Sequence, residues 1–201
     1  MAGPAPVPRT PEALTDDLVE RVLPLRAPTR VLLDGVGSGS LADSLVPGLL
    51  AAGRPVLRVS AGDFLRPAGE RFEHGREDVE DFRTRWLDEG ALRREVLDAV
   101  PHGRWLPRLW DAARDRSARE PMRPVPDRAV LLVDGLLLLG RGLPAELTVH
   151  VSLSLGALRR REVPLWQLPA FAAYDLEVRP GRACDVLVRA EDPKRPAVLM
   201  R

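Results

Sequence analysis

The sequence predicts an α/β fold with three layers, in which a mostly parallel sheet is covered by helices on both faces. Short apolar runs recur along the chain, and segments with the apolar spacing of helices lie between them. The clearest runs are unbroken rather than alternating, as is typical of parallel strands that are buried on both faces. Strands that alternate with helices in this way predict a parallel sheet.

The first part of the chain predicts two strands and two helices around a glycine-rich turn. Apolar residues at helical spacing predict a helix over 11–25. A strand follows at 31–35, and the turn after it leads into a helix that ends at Gly53. The run 55–60 predicts the second strand.

The remainder of the chain begins with a charged, irregular stretch and then returns to alternating elements. Helices are expected around 79–86 and over 91–99, and residues 101–127, which are rich in Pro, Arg and Trp, are expected to be mainly loop. Further strands are predicted within 129–139, 147–153 and 183–190, with helices near 155 and over 170–177. The run 129–139 contains the most apolar strand, which should therefore be central.

Length and composition indicate one globular domain without a strongly charged partner. The chain has 201 residues, 45% of them hydrophobic, and its 30 basic residues nearly balance its 29 acidic ones. This balance gives no electrostatic reason to expect binding to nucleic acid or a membrane. No apolar run approaches the ~20 residues that span a bilayer. We predict a flexible tail at 1–10, a single domain at 11–201 and a cytoplasmic location, which the single cysteine, Cys184, also fits.

The glycine-rich turn after the first strand has the layout of a phosphate-binding loop. Such a loop needs glycines so that backbone N–H groups can converge on phosphate oxygens, a lysine for the β- and γ-phosphates, and a Ser or Thr hydroxyl for magnesium. The candidate loop residues here are Gly35, Gly37, Ser38, Gly39 and Ser40. The turn alone is a weak signal, because glycine serves any tight connection between a strand and a helix.

Five segments resemble, in order and approximate spacing, those of bacterial uridine-kinase-like proteins. They are DGVGSGSLADSL, RPVLRVSAGDFLRPAGERFEHG, LDEGALRREVLDAV, AVLLVDGLLLL and RPGRACDVLVRAEDPKRP, and the resemblance covers roughly residues 28–198. It implies a P-loop NTPase fold of the nucleoside-monophosphate-kinase type. For active members it implies transfer of the γ-phosphate of ATP or GTP to a pyrimidine nucleoside.

The loop departs from the family's pattern G-x-x-x-x-G-K-[ST]. Counted from Gly35, the second glycine falls on Ser40 and the lysine falls on Leu41. When the flanking strand and helix are aligned, the loop is about three residues shorter than the family's. We therefore predict that it is not a working cradle for a triphosphate.

Three aspartates lie near positions that carry chemistry in the family. The family's catalytic base aligns with Gly62, which leaves the neighbouring Asp63 as the candidate catalytic carboxylate, or else as a turn or cap residue. Asp88 resembles the ligand of the ribose hydroxyls, although an N-cap role competes with that interpretation. Asp111 lies in a segment that resembles one implicated in recognising the base, but Ala112 replaces its histidine.

Asp134 ends the most apolar strand, where the resemblance implies an acidic residue that organises magnesium. Without a lysine or a loop threonine beside it, Asp134 would instead bond to neighbouring backbone or water. The three histidines do not fall at the family's recognition position, and we interpret them as surface or packing residues; they are His74, His102 and His150.

The segment that forms a lid in active members is about a dozen residues shorter here. Arg160 and Arg161 are the candidate phosphate contacts of this shortened lid, although arginines at a helix end also serve solvation and the helix dipole. Trp166 stands where the family carries an arginine. The apolar patch around Trp166 fits a core position, a surface for self-association or a pocket for a less charged ligand.

The leading hypothesis is a pseudokinase or a repurposed family member that binds a nucleoside-like small molecule in the nucleoside cleft that the resemblance implies. Because phosphoryl transfer depends on positioning and charge stabilisation, the combined departures argue against a kinase of ordinary efficiency. One alternative is an atypical nucleoside kinase, which would use ATP or GTP with Mg²⁺. Others are a non-kinase enzyme with Asp63 or Asp111 as acid or base, and an interaction protein. The resemblance is consistent with a homo-oligomer.

Overall fold

The computed structural model describes residues 5–201 and contains a seven-stranded sheet. Its strands cross the sheet in the order β1-β7-β6-β5-β2-β4-β3, where they are β1 (Val7–Pro8), β2 (Thr29–Asp34), β3 (Val56–Ser60), β4 (Val130–Gly135), β5 (Leu147–Ser152), β6 (Val186–Arg189) and β7 (Ala197–Met200). Neighbours among β2 to β6 are parallel, and β7 pairs antiparallel with both β6 and β1.

The middle of the parallel part is β2, which lies between β4 and β5. Its register pairs Asp34 with Gly135 of β4 on one side and with His150 of β5 on the other. The chain leaves β2 for β3 at one edge and later adds β5 on the opposite side of β2. The carboxyl end of β2 is therefore a topological switch point, where open α/β sheets bind their ligands.

Helices connect the parallel strands and cover the sheet. The α-helices are α1 (Pro11–Val22), α2 (Ser38–Ala51), α3 (Ala68–Arg71), α4 (Val79–Thr84), α5 (Glu89–Leu92), α6 (Leu155–Arg160), α7 (Leu168–Glu177) and α8 (Pro180–Ala183). A π-helical turn, Arg93–Leu97, continues α5. The 3₁₀ turns are Ala61–Phe64, Val100–His102 and Leu165–Gln167.

Two hydrophobic clusters confirm the predicted layers. In one cluster, Leu18 of α1 and Leu45 of α2 pack with Leu33 of β2. In the other, Leu92 of α5 packs with Leu131 of β4. Successive strand residues point to opposite faces of a sheet, so the two clusters lie on opposite faces. Each fully buried leucine contributes about 1.5–3 kcal/mol to stability.

Two segments have more structure than the sequence suggested. Within the predicted tail, residues 1–4 lie outside the described part of the chain, and Val7–Pro8 pairs with β7 at the sheet edge. The predicted loop 101–127 contains two short antiparallel ladders, Arg104–Trp105 with Arg123–Pro124 and Trp110–Asp111 with Arg116–Ser117. Across residues 5–201, no helix combines the length and the apolar character needed to cross a membrane.

Candidate functional site at the glycine turn

The connection between β2 and α2 consists only of Gly35, Val36 and Gly37. Both glycines have positive φ angles, 106° and 94°, a region that L side chains rarely adopt. A Cβ atom at Gly35 would also collide with the carbonyl oxygen of Val151 on β5. The tight fit of the turn against the sheet therefore requires glycine, whatever the turn binds.

The first turn of α2 offers backbone donors beside this connection. The N–H groups of Gly39 and Ser40 make no backbone hydrogen bond within the described residues, as is usual at a helix N-terminus. Arg161 adds a cation, since its Nη1 lies 3.1 Å from the position that a Cβ on Gly37 would occupy. Its Nη2 donates to the carbonyl of Ala190 at 2.8 Å, which holds the side chain in place. Free donors, the helix dipole and an arginine together favour a small anion here.

A buried network around Asp34 fixes the entrance to the turn. Asp34 is 0% exposed, and its Oδ1 accepts a hydrogen bond of 2.8 Å from the N–H of Leu138. Its Oδ2 lies 2.7 Å from Nδ1 of His150 and accepts a bond of 2.9 Å from the Tyr174 hydroxyl. Burial, reinforced by the Asp34 carboxylate, raises the pKa of Tyr174, so the hydroxyl stays protonated and donates. The network joins β2 to β5, to α7 and to the loop after β4.

A cleft of about 580 Å³ opens beside the glycine turn at the carboxyl ends of the strands. The polar part of its lining includes Ser38, Asp134 and Arg161. The larger apolar side chains of the lining, here called the apolar wall, are Leu65, Phe82, Trp86, Leu87, Val163 and Pro164. A cleft with polar and apolar lining suits a small molecule with a flat ring and a polar edge.

Aromatic side chains pack together behind the apolar wall. The ring centroid of Phe82 lies 5.1 Å from that of Trp86 and 5.5 Å from that of Trp166, both in edge-to-face contact. The Trp86 indole N–H donates to the carbonyl of Arg71 at 2.9 Å. Trp166 therefore packs against the core and supports the wall, whereas its neighbour Leu165 is 71% exposed.

Asp134 is the penultimate residue of β4 and lines the cleft, but an arginine already pairs with it. Its Oδ1 accepts a hydrogen bond of 2.7 Å from Nη1 of Arg58. Arg58 also donates to Asp43 on α2, at 3.0 Å and 2.9 Å. The second oxygen of Asp134 faces Gly39, 3.1 Å from its Cβ position. One carboxylate oxygen, on a neutralised side chain, is thus left for a ligand.

Asp63, the predicted catalytic residue, does not line the cleft. Its neighbour Gly62 lines the cleft, whereas Oδ1 of Asp63 forms an ion pair with Nε of Arg108 at 2.7 Å. That nitrogen lacks the alignment of a hydrogen bond. Burial raises the pKa of Asp63; Arg108 opposes the rise, and the Asp134 and Asp111 carboxylates add to it.

Two further predicted residues serve the local backbone. Asp88 accepts the N–H of Ala91 at 2.9 Å and so caps α5. Asp111 accepts two bonds from Arg114, from its backbone N–H and from Nη1, each at 3.1 Å. The backbone bond is the largest of several influences that lower the pKa of Asp111. Neither carboxylate lines the cleft.

A second cavity of about 370 Å³ adjoins the other side of the turn. It shares Gly37 and Arg161 with the cleft, and Ser40 also lines it. Arg160 does not line either cavity; its side chain is 67% exposed and lies 3.7 Å from Glu191. Of the two predicted lid arginines, Arg161 alone therefore stands at the glycine turn.

Three solved structures match most of the chain. A possible uridine kinase from Bacillus stearothermophilus has a TM-score of 0.71 and 16% identity, over 86% of this chain and 96% of its own. A candidate fructose transport system kinase from Silicibacter sp. TM1040 has a TM-score of 0.55 and 22% identity, over 93% and 96%. The YGR205w protein has a TM-score of 0.61 and 10% identity, over 96% and 99%. No protein-family model and no curated protein matches the sequence.

All three matches cover at least 86% of this chain and have TM-scores above 0.5. The chain has a P-loop kinase fold. The fold that the resemblance implied is thereby confirmed. Identities of 22% or less extend the likeness to the fold alone.

A P-loop kinase fold implies a magnesium-bound triphosphate at the turn, and the usual contacts for one are missing here. The three-residue turn carries no cation, and the only lysine of the chain, Lys194, is exposed beyond β6. Asp134 is engaged by Arg58. No group of three His, Cys, Asp or Glu side chains within residues 5–201 is arranged to hold a metal ion. The turn itself therefore lacks the lysine that usually contacts a triphosphate, and Asp134 is the acidic side chain of the cleft beside it.

The structure assembles part of the predicted site and adds residues that the sequence did not reveal. The predicted residues that line the cleft are Gly35, Gly37, Ser38, Gly39, Asp134 and Arg161. The residues missed are Arg58, His150 and Tyr174. An arginine inside the apolar run at 55–60 was a usable signal, since a half-buried arginine needs an acidic partner. His150 is a packing residue, as expected, but its bond to Asp34 had no local signal.

Proposed function

We propose that the protein binds a small, nucleoside-like molecule in the cleft and does not transfer a γ-phosphate to it with the efficiency of a kinase. The volume of about 580 Å³ falls in the range of small-molecule sites, ~300–1,000 Å³. Phe82 and Trp86 supply apolar surface for a ring, and Ser60 and Gln167 supply polar groups for hydroxyls. In this proposal the protein is a pseudokinase or a repurposed member of its fold.

The observation that carries the proposal is the ion pair at the polar end of the cleft. Arg58 holds Asp134 at 2.7 Å, directly beside a turn that is too short for a P-loop and has no lysine. Loss of one preorganised contact to a transition state costs about 2.7–4 kcal/mol. Phosphoryl transfer relies almost entirely on such contacts and on positioning, so several losses together would slow it by orders of magnitude.

Arg161 favours a second candidate, an atypical nucleoside kinase that uses ATP or GTP with Mg²⁺. Its guanidinium lies over Gly37 and would bind phosphate oxygens in place of the missing lysine. Ser38 would have to supply the hydroxyl for the metal, yet this hydroxyl donates to the carbonyl of Gly135 at 3.3 Å. The candidate ranks second for this reason.

A direct transfer assay separates the two candidates. The protein is incubated with γ-labelled ATP or GTP, Mg²⁺, and uridine or cytidine, and the labelled nucleotide product is measured. We expect no product above the enzyme-free rate. The matched control is Arg159→Gln, because Arg159 is exposed and forms no ion pair within residues 5–201. The proposal would be overturned by a product that requires Mg²⁺, that disappears in Asp134→Asn and Arg161→Gln, and that persists in the control.

A further inference from the structure

A third cavity, with a polar lining, lies on the side of the sheet that α7 and α8 border, away from the glycine turn. Its floor is formed by alternate residues of β5 and β6, which are His150 and Ser152 on one strand and Leu187 and Arg189 on the other. The register pairs these residues directly, so all four share one face of the sheet. The cavity has a volume of about 580 Å³.

Three arginines surround this cavity, which we term the arginine groove. Arg189 comes from β6, Arg179 from the junction of α7 and α8, and Arg182 from α8. Their guanidinium groups make no hydrogen bond or ion pair with any other part of residues 5–201. Asp175 is the carboxylate in the lining, so the groove carries an excess of positive charge.

The backbone brings these arginines together at a local cost. Arg179 adopts a positive φ of 54°, a conformation that costs a residue with a side chain about 1–2 kcal/mol. This residue turns the chain sharply from α7 into α8 and places Arg179 and Arg182 on the same rim. Elsewhere in the chain many arginines are paired with carboxylates, as Arg108 is with Asp63.

We propose that the arginine groove binds a small multivalent oxyanion, a molecule that carries phosphate or carboxylate groups. Three unpaired guanidinium groups offer planar forks of N–H donors that match such groups. The hydroxyl of Ser152 adds a neutral donor at the floor. The groove is separate from the cleft and this proposal does not depend on the nucleoside-binding role.

His150 reports on the groove from within. Its ring is buried at the floor, and its Nδ1 is held by Asp34, the residue before the glycine turn. An anion in the groove would therefore change the electrostatic field at this ring. The chain has only three histidines, so their ring resonances can be assigned by elimination with His74→Gln and His102→Gln.

The test is an NMR titration of the histidine rings in the full chain. Pyrophosphate, inorganic phosphate and citrate are added separately at constant ionic strength, with sodium chloride as the reference. We expect a saturable shift of the His150 resonance and at least about tenfold weaker binding in the triple variant Arg179→Gln, Arg182→Gln, Arg189→Gln. A response to citrate alone would assign a carboxylate ligand, and one to pyrophosphate or phosphate alone a phosphorylated ligand.

Matched variants distinguish the groove from the glycine turn. A control triple variant, Arg104→Gln, Arg159→Gln, Arg195→Gln, removes the same charge at exposed positions outside the groove and should keep the wild-type affinity. The proposal is overturned if no anion produces a saturable shift, if the groove variant binds as tightly as the control, or if Arg161→Gln abolishes the shift. The last result would place the anion at the turn.

Discussion

Asp34 and Asp134 lie near the carboxyl ends of neighbouring strands, yet their surroundings give them different roles. Asp34 is 0% exposed and holds bonds to Leu138, His150 and Tyr174. Asp134 is 8% exposed, pairs with Arg58 and lines the cleft. A carboxylate at the end of a parallel strand is therefore a candidate for function only until its partners are known.

The different surroundings of the two aspartates also explain how the glycine turn is held in place. Asp34, the residue before Gly35, is bonded to three other elements, and these bonds fix the position of the turn. Asp134 lines the cleft, where its carboxylate forms an ion pair with Arg58. One aspartate thus supports the site, and the other forms part of its surface.

The largest expected effect is on stability when the anchor is removed. Asp34→Ala breaks a fully buried pair and leaves His150 and Tyr174 without their acceptor. We expect a loss of about 3–5 kcal/mol in the free energy of unfolding, measured by urea denaturation. The control, Asp134→Ala, leaves Arg58 paired with Asp43 and should cost about 1–2 kcal/mol. Equal losses of stability in Asp34→Ala and Asp134→Ala would contradict the different roles assigned to the two aspartates.

The turn itself should be the next most sensitive position. Gly35→Ala and Gly53→Ala both place a side chain at positive φ, but only the Cβ at Gly35 meets backbone; Gly53 faces open space. We expect Gly35→Ala to be the more destabilising by about 1–3 kcal/mol in the same urea measurement. A Gly53→Ala variant that loses as much would show that the contact with β5 is unimportant.

Removal of the cation beside Asp134 should have an intermediate effect. Arg58→Met leaves Asp134 without its partner in a largely buried position, and we expect a loss of about 1–2 kcal/mol, between the values for exposed and buried pairs. Arg94→Met, at an exposed pair with Glu95, is the matched control and should change stability by less than about 0.5 kcal/mol. If Arg58→Met left the free energy of unfolding unchanged, the pair would not hold Asp134 in place.

The smallest expected effect is a pH dependence from Asp63. Its pKa is raised in the folded state, chiefly by burial, so between the unfolded value near 3.9 and the folded value the native state binds more protons. Stability from this group is then lost as the pH rises through that interval. Relative to Asp63→Asn, the wild type should become less stable as the pH increases through the interval. A difference that is flat, or that rises with pH, would contradict the raised pKa.

The sequence predicted the sheet because its strands are unbroken apolar runs, and it predicted the turn because glycine is the residue such a turn requires. Asp134 and Arg161, which the sequence named as a candidate metal ligand and a candidate phosphate contact, both line the cleft. The sequence did not reveal that Arg58 pairs with Asp134, or that His150 bonds to Asp34, because these contacts join different strands. Which atoms face each other across a sheet depends on strand order and register, and the residue pattern of a single sequence does not specify either of these. The cap role of Asp88 was open for a different reason: an aspartate before a helix fits an N-cap as well as a ligand contact, and its bond to Ala91 is local.

The most direct test of the central claim is calorimetric titration of the cleft with uridine and cytidine, each with and without ATP and Mg²⁺. We expect saturable binding of a nucleoside that is unchanged by ATP and Mg²⁺, and no magnesium-dependent binding of ATP. Tight ATP binding that requires Mg²⁺ and is lost in Asp134→Asn would contradict it and would restore a kinase function.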